Sequence, residues 1–144
     1  MYKSITKEKG DTGLIQVIAD LDKFNIKTAL PISEHLPFDL IAISGQGGLS
    51  RISVKYVGLR NGSITIPLRS VSTNMQGYKA KTINFNDIDA FAVYCPDNEH
   101  CYYIKKEILE KFKSGFVIRI ESSKRKPTQS NLAIDFINPD IIFD

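Results

Sequence analysis

The sequence predicts an α+β fold in which an opening helix lies on a mixed sheet. Three observations carry this reading. Apolar residues near the start recur at helical spacing, a long series of strand-like runs follows, and glycine-containing turns punctuate those runs. Strands in sequence, bounded by helices, pack as an α+β layer structure rather than an alternating parallel one. At 144 residues the chain suits a single domain spanning 1–144, since domains typically run about 100–150 residues. It has no internal repeat and no linker, and the region from about residue 122 is expected to be flexible.

The elements follow in order. Leu14, Val17, Ile18 and Leu21 form one stripe, and Asp11 or Thr12 is placed to cap a helix running to about Phe24. Strands are expected at 27–31, 38–44 and 49–57, the last two joined through Gly45-Gln46-Gly47-Gly48. Asn61-Gly62 signals a two-residue hairpin between strands at 55–59 and 63–69. Strands at 88–95 and 101–104 flank the turn at 96–100. A short helix over 105–113 is expected to end at Gly115, before a strand at 116–120.

Charge is unevenly distributed. Six of the 19 basic residues, Arg51, Lys55, Arg60, Arg69, Lys79 and Lys81, lie between Asp39 and Asp87 with no acid among them. A stretch of that kind suits a polyanionic partner. No apolar run approaches the roughly 20 residues that span a bilayer, and the polar start lacks a signal peptide's apolar segment, so the chain reads as soluble, cytoplasmic and free of membrane. Cys95, His100 and Cys101 lack a second ligand pair and read as strand cysteines rather than a zinc site. His35 reads as a loop or contact residue. No phosphate-binding glycine loop, dinucleotide fingerprint or Ser/His/Asp order appears.

The chemically informative pair is Pro37-Phe38-Asp39 and Ser53-Val54-Lys55, an acid and a base on adjacent strands of one hairpin. If the turn centres on Gly47, Asp39 faces Lys55 and Ile41 faces Ser53. Carboxylate, hydroxyl and ammonium then share one sheet face, whereas a one-residue slip would separate acid from base. Spacing alone leaves a surface ion pair as the alternative.

The stretch from Lys7 to about Tyr103 resembles the PD-(D/E)XK nuclease superfamily, specifically small group I intron-encoded homing endonucleases of cyanobacterial type. The residues carrying the resemblance are Lys9-Gly10-Asp11-Thr12-Gly13 before the apolar helix, His35-Leu36-Pro37-Phe38-Asp39-Leu40-Ile41, Ser53-Val54-Lys55-Tyr56, Ile88-Asp89-Ala90, and Tyr94-Cys95-Pro96-Asp97. The resemblance implies a restriction-endonuclease-like core with flanking helices and a β-hairpin extension that reads DNA. It implies Asp39 as metal-binding aspartate, Lys55 as catalytic lysine, and the Val54 carbonyl as a further ligand for Mg²⁺ or another divalent cation. Double-stranded DNA is the implied substrate, and two or four copies of the chain the implied assembly.

Two positions depart from the family pattern. Ser53 stands where many relatives carry Glu or Gln, and Leu14 stands where they carry Glu. These replacements leave open a non-cleaving, sequence-specific DNA-binding protein on the same fold. For DNA reading, the sequence offers Arg60, Arg69, Ser70, Ser72 and Asn74. Gln76, Tyr78, Lys79 and Lys81 extend that set, all without a nearby acid.

Overall fold

The computed structural model describes residues 5–74, 77–120 and 131–143. Gln76 and the basic run Lys124-Arg125-Lys126 lie outside the described residues. In chain order the elements are α1 (Ile5–Lys23), β1 (Lys27–Ala29), β2 (Leu40–Ile43), β3 (Leu49–Tyr56), β4 (Ser63–Pro67), β5 (Arg69–Asn74) and β6 (Gly77–Thr82). A 3₁₀ turn (Phe85–Asp87) precedes β7 (Ala90–Cys95), β8 (His100–Lys105), α2 (Lys106–Leu109), β9 (Gly115–Arg119) and β10 (Asn131–Leu132). Two further 3₁₀ turns, Ala133–Phe136 and Pro139–Phe143, close the chain.

The central sheet runs β1-β2-β3-β7-β8, with β3 and β7 parallel and the other neighbours antiparallel. Its alternating side chains feed two cores. On one side Leu40, Ala42, Ile52, Ala92 and Tyr103 pack with Val17 and Leu21 of α1. On the other, Phe91, Val93, Tyr102 and Ile104 pack with Ile64 and Ile66 of β4 and Phe116 and Ile118 of β9. Helix, central sheet and the small β10-β9-β4 sheet thus form three layers. Strand β7 is buried along its whole length, as a strand covered on both faces must be.

Several expectations are corrected. Helix α1 begins at Ile5, so Asp11 and Thr12 lie within it and cap nothing. Burial of Gly13 against β3 holds helix where Gly10 and Gly13 lower its intrinsic propensity. The helix ends in a Schellman motif. Asn25 takes φ 59°, the Ile26 N–H donates to Leu21 O, and the Asn25 N–H donates to Asp22 O. Asn61 and Gly62 do make a two-residue turn with positive φ at both, but its ladder is a single bridge, Arg60 to Ser63. Strand β4 continues instead into pairing with β9. The second helix is one turn, and Gly115 opens β9 rather than capping it. Past residue 130, Phe136 and Ile142 pack into the two cores.

Candidate active site at the open edge of β3

The β2–β3 register pairs Leu40 with Ile52 and Ile41 with Arg51, so the turn centres on Gln46 rather than Gly47. The Ser44 N–H donates to Gly48 O, and Gly47 takes φ 88°. Relative to the expected register the strands are displaced by two residues, an even number. Asp39 therefore comes opposite Ser53 instead of Lys55, but Asp39, Ser53 and Lys55 keep positions on one face.

Strand β2 stops at Leu40 while β3 continues to Tyr56, which leaves the far half of β3 with an open edge. The Asp39 N–H donates to Ile52 O, showing that even-numbered residues of β3 present their main-chain polar groups to this edge. Two residues further on, the Asp39 carboxylate takes the place of a missing strand and accepts the Val54 N–H at 2.7 Å. The Val54 carbonyl points to the same edge, because N–H and C=O of one strand residue lie on one side. A carboxylate and a main-chain carbonyl are thereby placed side by side.

Next to them is a depression of about 410 Å³ lined by Asp39, Val54, Leu14, Gly10, Asp11, Lys7 and Glu34. Helix α1 approaches β3 closely through Gly13, where an added Cβ would lie 3.6 Å from both Val54 Cγ1 and Tyr56 Cβ. Leu14, the next residue, lines the same depression as Asp39. Ser53 is buried and pairs with Phe91 in the parallel register, and the Lys55 ammonium lies 5.5 Å from the Phe91 ring centroid. Among the described residues, Lys55 and Asp39 form no ion pair.

A hard cation fits this edge only in part. Mg²⁺ commonly takes one or two carboxylates and leaves its remaining positions to water and substrate phosphate. Asp39 and the Val54 carbonyl match that sparse donor set, and among the described residues no three His, Cys, Asp or Glu side chains converge as a closed cage.

Three features of the surroundings were not legible in the sequence. Asp89 accepts from the Arg51 N–H at 2.8 Å, from Nε at 3.1 Å and from Nη2 at 3.2 Å. The Asp89 N–H returns a bond to Arg51 O. The Arg51 hydrogen bonds hold the Asp89 carboxyl below the usual carboxylate range, against the opposing effect of burial. Arg51 is thus committed to an acid and is removed from the free basic set. Asp97 accepts the Leu59 N–H at 2.6 Å and fixes the chain leaving β3. Glu34 joins the depression from a loop without periodic pattern.

Of the expected DNA-reading residues, Arg60 and Arg69 are exposed, Arg60 lining a groove with Tyr56 and Thr65. Ser70, Ser72 and Asn74 lie on β5, and Tyr78, Lys79 and Lys81 on β6. Cys95 and Cys101 are buried and belong to different cores on opposite sides of the central sheet, which excludes a shared metal. Burial pushes the Cys101 thiol up to about 12. His35 is exposed in the loop before Asp39, its N–H donating to Ser33 Oγ.

The structure is similar to that of a bacterial homing endonuclease, I-Ssp6803I, with a TM-score of 0.77 over 92% of this chain and 88% of that one. Sequence identity is 21%, so the likeness is one of fold. No curated protein sequence matches the chain. A family model described as PD-(D/E)XK endonuclease matches residues 4–138. With nearly its whole length matched, and with its acid and lysine strands in the arrangement just described, the chain belongs to the PD-(D/E)XK endonuclease family.

Proposed function

We propose that this chain is a site-specific endonuclease of double-stranded DNA, of the intron-homing kind, acting in the cytoplasm. The observation that carries the reading is the Asp39 carboxylate beside the Val54 carbonyl at the open edge of β3, next to Lys55. Asp39 and Val54 would hold Mg²⁺ or another divalent cation, whose charge would polarise the scissile phosphate. Lys55 carries a compact ammonium on a movable stem, suited to orienting the attacking water and to offsetting negative charge that develops on phosphoryl oxygens. Ser53 contributes a hydroxyl where a second carboxylate or amide would hold water more firmly. One such site cuts one strand, so a double-strand break calls for a homodimer or homotetramer.

A second reading is a DNA-binding protein that does not cleave. Its support is Leu14, an aliphatic side chain in the lining of the depression that Asp39 also lines. A plasmid-nicking assay with and without Mg²⁺ separates the two. Nicking that requires the cation and disappears in Asp39→Asn supports the endonuclease. Tight, sequence-selective binding without nicking supports the second reading.

A further inference from the structure

Asp39, Ser53 and Phe91 stand in one row across three neighbouring segments of the central sheet. The antiparallel register, continued one residue past Leu40, sets Asp39 opposite Ser53, and the parallel register sets Phe91 opposite Ser53 from the other side. Opposed residues share a face, and so does Lys55, two residues further along β3. The residue opposite Lys55 is Val93. Its ammonium nevertheless lies over the ring of Phe91, 5.5 Å from the centroid. The ring thereby ties the ammonium to the row of Asp39 and Ser53.

Phe91 is a fixed support. It is fully buried and packs with Val93, Ile64, Ile104 and Phe116 in one core. The register that sets it opposite Ser53 is held two residues earlier, where Asp89 accepts from the Arg51 main chain and guanidinium. An aromatic face carries partial negative charge and attracts a cation within about 6 Å of its centroid. An aliphatic side chain would fill the same space without that attraction. A carboxylate would attract more strongly, but it would offset the charge and occupy the N–H donors. Among the described residues the Lys55 ammonium has no ion pair. The ring holds the cation without neutralising it and leaves its donors to water and phosphoryl oxygens.

Resting on the reading of Lys55 as the lysine that serves cleavage, we propose that Phe91 is a positioning residue, whose ring holds the Lys55 ammonium at the level of Asp39 and Ser53. It acts through Lys55 alone, and by the electron density of its face rather than by its bulk.

The test replaces Phe91 with mono-, di- and trifluorinated phenylalanine, which nearly keep the shape of the ring while draining charge from its face. Cleavage of a duplex target is measured well below each variant's melting midpoint. We expect kcat to fall stepwise with fluorine number, by about three- to tenfold at the trifluorinated ring, with KM unchanged. The same fluorination of Phe116, in the same core, should leave kcat unchanged. A second readout needs no cleavage. Protons held over an aromatic face are shielded, so in proton NMR the Lys55 Hε signals should lie upfield of those of other lysines and return to the ordinary position in Phe91→Leu. A kcat indifferent to the fluorine series, a loss confined to KM, or Lys55 Hε signals at the ordinary position overturns the assignment and leaves the endonuclease reading standing. Cleavage undiminished in Lys55→Met, or absent from the unmodified chain, overturns the reading on which the assignment rests, and the assignment with it.

Discussion

Arg51 and Asp89 are joined through main chain and side chain at once, where β3 and β7 begin their parallel pairing. Each donates its backbone N–H to the other residue, Arg51 to the Asp89 carboxylate and Asp89 to the Arg51 carbonyl, and the guanidinium closes the pair. Parallel strands lack the tight turn that sets register in a hairpin, so some other feature must set it. Here one ion pair does so, two residues before Ser53.

Asp89→Asn is expected to destabilise the protein by about 1–2 kcal/mol, the range for hydrogen bonds to a charged group, reduced for partial exposure. Because the Asp89 pKa is lowered on folding, its contribution is complete above the ordinary carboxylate pKa near ~3.9 and is lost as pH falls through the lowered value. Thermal melts of both proteins between neutral and strongly acidic pH should therefore converge at the acid end. A gap that persists there would show that the pair acts by packing alone.

Leu14→Glu and Ser53→Gln each restore a polar group beside the proposed cation site. Single groups that stabilise a transition state are typically worth about 10²–10³ in rate. Mg²⁺-dependent cleavage should rise visibly in either variant and further in the double variant. If none of the three gains activity, the site is misplaced.

Neither cysteine should react with a thiol reagent in the folded state. Cys95 and Cys101 are both buried, and burial raises the Cys101 pKa to about 12, which leaves almost no thiolate at pH 8. A colorimetric thiol titration is expected to show two reactive groups in denaturant and a slow, unfolding-limited reaction without it.

Gly10 lies inside α1 with open space around an added Cβ. Gly10→Ala should therefore stabilise the protein by about 0.5–1 kcal/mol, read as a rise in the denaturation midpoint. A helix that began at Asp11 would leave Gly10 outside it and predict no gain.

What could be read from the sequence were local conformation and parity. The stripe from Leu14 to Leu21, the positive-φ pair Asn61-Gly62 and the shared face of Asp39, Ser53 and Lys55 all follow from periods of 3.6 or 2. What could not be read were choices of partner. Asn61-Gly62 specifies a turn but not that β4 will leave β3 for β9. The start of α1 is not marked in the sequence, because Gly10 and Gly13 lower helix propensity and only the packing of Gly13 on β3 offsets that. Residues 69–82 contain no Asn-Gly or Asp-Gly pair, so the sequence marks no hairpin between β5 and β6. Arg51 counted as a free cation until the fold brought Asp89 to it from across the sheet.

Strands β3 and β7 are neighbours in space, yet the chain departs after one and returns for the other, spending the interval on β4 and on the pair β5 and β6. The entropy of closing such an excursion grows only slowly with its length. That pair lies in the chain between buried Leu68 and half-buried Ile83, while Asp39 and Val54 lie on elements completed before the excursion begins. The β5–β6 pair is thereby a stretch of chain separate from the elements that carry Asp39 and Val54. A longer, shorter or foreign segment grafted between Leu68 and Ile83 would leave the backbone that carries Asp39 and Val54 unchanged.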